Sequence, residues 1–138
     1  MKRTFSIGIA STGVAAAVLL ATSGAAYAAG PGGAESCPSG SICLYFNSPQ
    51  YGWGSFEHWS PGRYDDLGQF AFSNWGNGSG YGVRVGGNAA SVVNNTATTL
   101  TIYNATSAHG TVLDTVASGY AGVLPSGIAN AEWSMYSS

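Results

Sequence analysis

The sequence predicts an all-β fold, an antiparallel sandwich of two Greek keys, and three observations predict it. Short apolar or alternating runs recur along the chain: "SICLYF", "SFEHW", "YGVRVGG", "TTLTIYN", "TVLDTV" and "AEWSMY". Clusters of Gly, Ser, Asn and Pro separate them, among them "NSPQYGWG", "SNWGNGSGYG" and "LPSGIAN". The order of features also repeats. Tyr45 and Gly52 form a Y-x6-G spacing that returns at Tyr103 and Gly110, with starts 58 residues apart. Each follows an apolar strand, "ICLY" or "LTIY", and each precedes a Gly-Tyr stretch and then an Asn and a Ser. Two such units can bury their inner faces against each other.

The first element is an export signal. Lys2 and Arg3 lead into an uncharged, apolar or small-residue stretch over 5–22, and Ala26-Tyr27-Ala28 fits a signal-peptidase site. We expect residues 1–28 to be a signal peptide, 29–36 a flexible segment and 37–138 a single domain, placing the chain outside the cell. The stretch is too rich in Ala, Gly and Ser, and too soon followed by a cleavage pattern, to read as a membrane anchor. The mature chain would have 110 residues, enough for one modest core. Its two arginines, Arg63 and Arg84, stand against six acids and no lysine, giving −4. Such a surface does not attract phosphate backbones or anionic lipid, so nucleic acid and membrane are excluded as partners of the mature form.

The two cysteines come next. In an oxidising compartment Cys37 and Cys43 are expected to form a disulfide, with Pro38 and Gly40 supplying the turn. Closing so small a ring contributes about 2 kcal/mol, enough to fasten the chain end locally. A metal site using Cys37, Cys43, His58 and His109 lacks the histidine spacing of zinc sites.

The strands follow. "YGVRVGG" places Tyr81, Val83 and Val85 on one side; "TTLTIYN" places Leu100 and Ile102 on one side, Thr101 and Tyr103 on the other. "RYDDLGQF" allows a single helical turn, with Asp65-Asp66 capping it.

With these elements in place, "CPSGSICLYFNSPQYGWGSF", "NAASVVNNTATTLTIY" and "IANAEWSMY" together resemble the secreted actinobacterial peptidase inhibitor family I36. The C-P-x-G-x-x-C-x-Y opening is the most specific piece, and the resemblance spans roughly 36–138. It implies a βγ-crystallin-like fold and inhibition of thermolysin-like zinc proteases by a rigid, substrate-like loop. Carried over, that loop is Asn104, Ala105, Thr106, Ser107, Ala108, His109, Gly110 and Thr111, with Val112 or Leu113 supplying the bulky apolar residue such clefts favour. The chain departs from the family pattern in having no third or fourth cysteine to brace the loop. Read from its residues alone, the same segment is a hairpin turn.

The crystallin resemblance also raises calcium. "GNAASV" and "ANAEWS" offer Asn88, Ser91, Asn130 and Ser134, which is half the oxygen set and no Asp, so no metal or cofactor is expected. These side chains read instead as bonding within their own turns.

No catalytic set emerges. Glu57 and His58 are adjacent and expected on opposite faces of a strand, Asp65-Asp66 lacks glycosidase separation, and Ser79 lacks an elbow. The alternative to inhibition is an extracellular binding module for cell-wall polysaccharide, with Trp53 and Trp75, both flanked by Gly, as an exposed stacking platform. We expect a monomer whose partner is an extracellular peptidase.

Overall fold

The computed structural model describes residues 36–124 and 129–137. The expected signal peptide and all but the last residue of the segment over 29–36 lie outside them.

Among the described residues eight strands form: β1 (Ile42–Tyr45), β2 (Phe56–Trp59), β3 (Arg63–Tyr64), β4 (Ser91–Asn94), β5 (Leu100–Tyr103), β6 (Val112–Val116), β7 (Ala121–Val123) and β8 (Ser134–Ser137). They make two four-stranded antiparallel sheets, ordered β2-β1-β4-β7 and β3-β8-β5-β6. The repeat seen in the sequence becomes a pseudo-twofold. β1 matches β5, β2 matches β6 and β4 matches β8, while the third strand of each half crosses into the other half's sheet. This exchange is why neither half has a complete sheet of its own.

Alternation explains the faces. Leu100 and Ile102 are fully buried between the sheets, while Thr101 and Tyr103 are half-buried on the outside. In β1 every residue is buried. Ile42 and Leu44 face the inter-sheet core with Val92, Leu100, Ile102 and Met135. Cys43 and Tyr45 face the other way, into a second cluster with Cys37, Trp53, Phe56 and Val93. A strand covered on both faces reads as a continuous apolar run, which is what "ICLY" is.

The Cys37–Cys43 disulfide is formed, with Cα atoms 5.9 Å apart. Gly40, at φ +79°, makes the turn, and its N–H donates to the Asn95 carbonyl. The cystine thus lies on the outer face of β1 and covers it.

Two expectations change. "YGVRVGG" is not a strand; it contributes one isolated bridge, Ala71 to Arg84, and Tyr81 and Val83 are exposed while Val85 is fully buried. The segment 70–86 folds back as a strap. Phe56 and Asn74 exchange main-chain hydrogen bonds, Phe72 N–H donates to Val83, and Ser55 N–H donates to Ser79. The strap covers the edge of β2, where an open row of N–H and C=O groups would otherwise invite another chain. The turn over Leu67–Gln69 is present, but only Asp66 caps it, accepting from Gly68 N–H at 2.8 Å. Asp65 bonds elsewhere.

Candidate functional site

Residues 104–111 join β5 to β6 and are the structural counterpart of the hairpin joining β1 to β2. The two differ in detail. Gly52 is left-handed at φ +83°, whereas the left-handed residues of the second hairpin are Ser107 (φ 56°) and Ala108 (φ 58°), not Gly110. The Y-x6-G echo therefore marks equivalent hairpins without equivalent glycines.

The main chain of this hairpin is fastened from several sides. Ser134 Oγ donates to the Ala105 carbonyl at 2.6 Å and accepts from Ala108 N–H at 3.1 Å. Ser107 N–H donates to the Asp65 carbonyl at 2.8 Å. Thr111 N–H donates to Asn104 Oδ1 at 2.8 Å, and Asn104 N–H donates to the Thr111 carbonyl. Thr106, His109, Thr111 and Val112 stay exposed, while Leu113 packs against the core. Of the two apolar candidates only Val112, 49 % exposed, is presented to solvent.

Ser91 repeats half of this arrangement in the other unit, its Oγ donating to the Asn47 carbonyl at 2.6 Å. Ser134→Ala strands both a carbonyl and an N–H of the hairpin and is expected to cost about 2 kcal/mol in urea denaturation, against about 1 kcal/mol for Ser91→Ala.

The four calcium candidates are engaged in contacts within the protein. Ser91 and Ser134 are buried on different sheets and spend their hydroxyls on hairpin carbonyls. The Asn88 amide donates to the Arg84 carbonyl at 2.9 Å. Asn130 sits left-handed at φ 64°, and its N–H donates to the Ala89 carbonyl. Gly87, at φ +79°, makes the symmetric bond to the Glu132 carbonyl, so the two segments clasp each other across the pseudo-twofold.

Glu132 occupies that clasp, and sequence reasoning missed it. It is 0 % exposed. Its Oε2 accepts from Asn88 N–H at 3.0 Å and from Ala89 N–H at 2.8 Å, while Oε1 has no hydrogen-bond partner among the described residues. Burial pushes the carboxyl up to about 7, outweighing the main-chain N–H groups that favour the charged form. The one available signal was an acid inside the apolar run "AEWSMY".

Trp53, expected at the surface, is 3 % exposed. Its ring meets Tyr45 edge-on at 5.0 Å, so it offers no face to a sugar. Trp75 is half-buried against the same cluster. The physical reason is the pair of flanking glycines. Gly52 and Gly54, both with positive φ, turn the chain so that Trp53 folds back over β1 instead of projecting. Among the described residues the large exposed aromatics are Tyr51 (73 %), Tyr81 (54 %) and Tyr120 (40 %).

Glu57 and His58 are closer than expected. The His58 ring nitrogen lies 3.8 Å from Glu57 Oε1. Ser73 Oγ donates to Glu57 Oε2 at 2.8 Å and not to the histidine.

Two sheets that exchange their third strands, with paired serine-fastened hairpins, decide the fold. It is a βγ-crystallin domain fold. The N-terminal domain of Protein S superposes with a TM-score of 0.52 at 14 % identity, covering 71 % of this chain and 94 % of that one. A βγ-crystallin domain from Clostridium beijerinckii gives 0.51 at 15 % identity, covering 70 % and 95 %. A structure from work on the evolution of the eye-lens βγ-crystallin domain fold gives 0.56 at 15 % identity, covering 75 % and 91 %. No protein-family model matches the sequence, and neither does any curated protein.

Proposed function

We propose that this βγ-crystallin-like chain is a secreted inhibitor of extracellular peptidases, thermolysin-like zinc enzymes first among them, acting through residues 104–111 and Val112. The observation that carries this reading is the fastened main chain of the hairpin beside its exposed side chains. A flexible loop would lose about 1–2 kcal/mol of backbone entropy per residue on entering a cleft, and this loop is already held. The resemblance to family I36 points to the same segment. The left-handed pair Ser107-Ala108 makes the tip of the hairpin. Where the hairpin runs into β6 the chain straightens, and Val112 supplies the bulky apolar group for the subsite after the scissile bond.

The test is titration of thermolysin with the purified mature chain. Saturable inhibition is expected, weakened about tenfold or more by Val112→Asp, the size of a hot-spot loss. Normal hydrolysis at micromolar chain rejects the proposal. Retention on chitin or peptidoglycan, lost in Tyr81→Ala, would then favour the binding-module alternative.

A further inference from the structure

We propose that Asp65 is the positioning residue of the 104–111 hairpin, doing by hydrogen bonds what a chain with no third cysteine cannot do by a second disulfide. Asp65 lies just after β3, the strand that the first half lends to the second half's sheet. Its carbonyl accepts the N–H of Ser107, the first left-handed residue of the hairpin. Its carboxylate is itself held. Oδ1 accepts from the Tyr136 hydroxyl at 2.7 Å and from Arg63 Nε at 2.9 Å.

The holding groups form one cluster. The Arg63 guanidinium lies over the Tyr136 ring, 4.6 Å from its centroid. Tyr136 packs against Tyr103 with centroids 5.6 Å apart, and Tyr103 is the residue from which the hairpin departs. The clamp therefore grips the hairpin at its root through Tyr103 and at its apex through Ser107. An exposed ion pair alone contributes little, and both Arg63 and Asp65 are at least half exposed. The position is set instead by two groups converging on the Asp65 carboxylate, Arg63 from β3 and Tyr136 from β8, each on a strand already fixed in the sheet.

The groups facing the Asp65 carboxylate are Arg63, Tyr136 and, at longer range, His109 on the hairpin itself. The Tyr136 hydroxyl first and Arg63 second hold the carboxyl below its usual range. The clamp is thus intact above the ordinary carboxylate range and loosens only as the pH falls through that lowered value.

The consequence for inhibition rests on the function proposed above, but the clamp is measurable without it. The probe is amide hydrogen exchange of Ser107, with the Val92 and Ile102 amides of the inner strands β4 and β5 as internal references. Asp65→Ala and, separately, Tyr136→Phe are expected to speed Ser107 exchange about tenfold, the factor for loss of 1.4 kcal/mol, with the references unchanged. Asp65→Asn, which keeps the acceptor without the charge, is expected to restore most of the protection. Unchanged Ser107 exchange in both Asp65→Ala and Tyr136→Phe, or acceleration that the references share, overturns the assignment. If the wild type inhibits thermolysin, Asp65→Ala should weaken inhibition in step with the exchange. If the wild type does not inhibit, the function fails while the exchange data still decide the clamp.

Discussion

Glu132→Gln is expected to stabilise the protein at mildly alkaline pH by on the order of 3 kcal/mol, the free energy that separates a carboxyl at the usual 4.5 from one at about 7. The sign follows from which state holds the proton. Between about 4.5 and 7 the unfolded chain has lost its proton and the folded chain has kept it, so each rise in pH favours unfolding. Glu132 therefore contributes full stability below about 4.5, loses it as the pH climbs to about 7, and leaves the native state with a buried anion above that. Main-chain N–H groups, Asn88 and Ala89 among them, soften the cost, but among the described residues Oε1 has no hydrogen-bond partner and neither ion pair includes Glu132. Glutamine mimics the protonated acid. Its carbonyl takes the Asn88 and Ala89 N–H groups, and it never ionises. Denaturation from pH 4 to 9 should show wild-type stability declining by about 1.4 kcal/mol per pH unit through that window and a flat profile for the variant. A variant that keeps the slope, or is less stable than wild type when alkaline, would show that the clasp tolerates the charge.

The parts of this fold that were legible in the sequence are those with one wet face. Leu100 and Ile102 alternate with Thr101 and Tyr103, and β5 lies where that alternation placed it. The repeat of features located the pseudo-twofold because equivalent strands meet equivalent neighbours. What stayed hidden depended on contacts that hydrophobic periodicity does not record. "ICLY" read as a strand, but its outer face is covered by Trp53 and the cystine, and no local pattern announces a second cover. "YGVRVGG" alternated well and failed as a strand. One of its glycines sits at a close approach, since a Cβ on Gly86 would lie 2.7 Å from Gly68 N. Glu132 was invisible because an acid defaults to the surface unless something buried receives it, and its receivers, Asn88 and Ala89, lie 44 and 43 residues away. At the candidate loop, the segment 104–111 is legible as a turn after β5, but its clamp is not, since the pattern "RYDDL" reads Asp65 as a cap.

Gly80→Ala is expected to cost about 3 kcal/mol and to lower the melting temperature by roughly 15 °C, because two independent penalties fall on one atom. The first is conformational. Gly80 holds φ +83°, where a Cβ costs about 1–2 kcal/mol. The second is steric. The new Cβ would overlap Cγ and Cδ1 of Phe46. That ring packs edge-on against Phe72, 5.7 Å away, and Phe72 is fully buried in the inter-sheet core. The clash therefore passes from the strap into the sandwich. Gly82 separates the two penalties, since it holds φ +82° and an added methyl there would meet nothing within 4 Å. Gly82→Ala should show the conformational penalty alone, about 1–2 kcal/mol. Equal losses at the two positions would mean that Phe46 moves aside without consequence and that the strap is not packed into the core. A further check is Phe46→Ala combined with Gly80→Ala. Removing the ring abolishes the overlap, so the double variant should lose less than the two single losses added together. Strict additivity would place the strap outside the cooperative unit, leaving the edge of β2 shielded by a segment that opens independently of the sandwich.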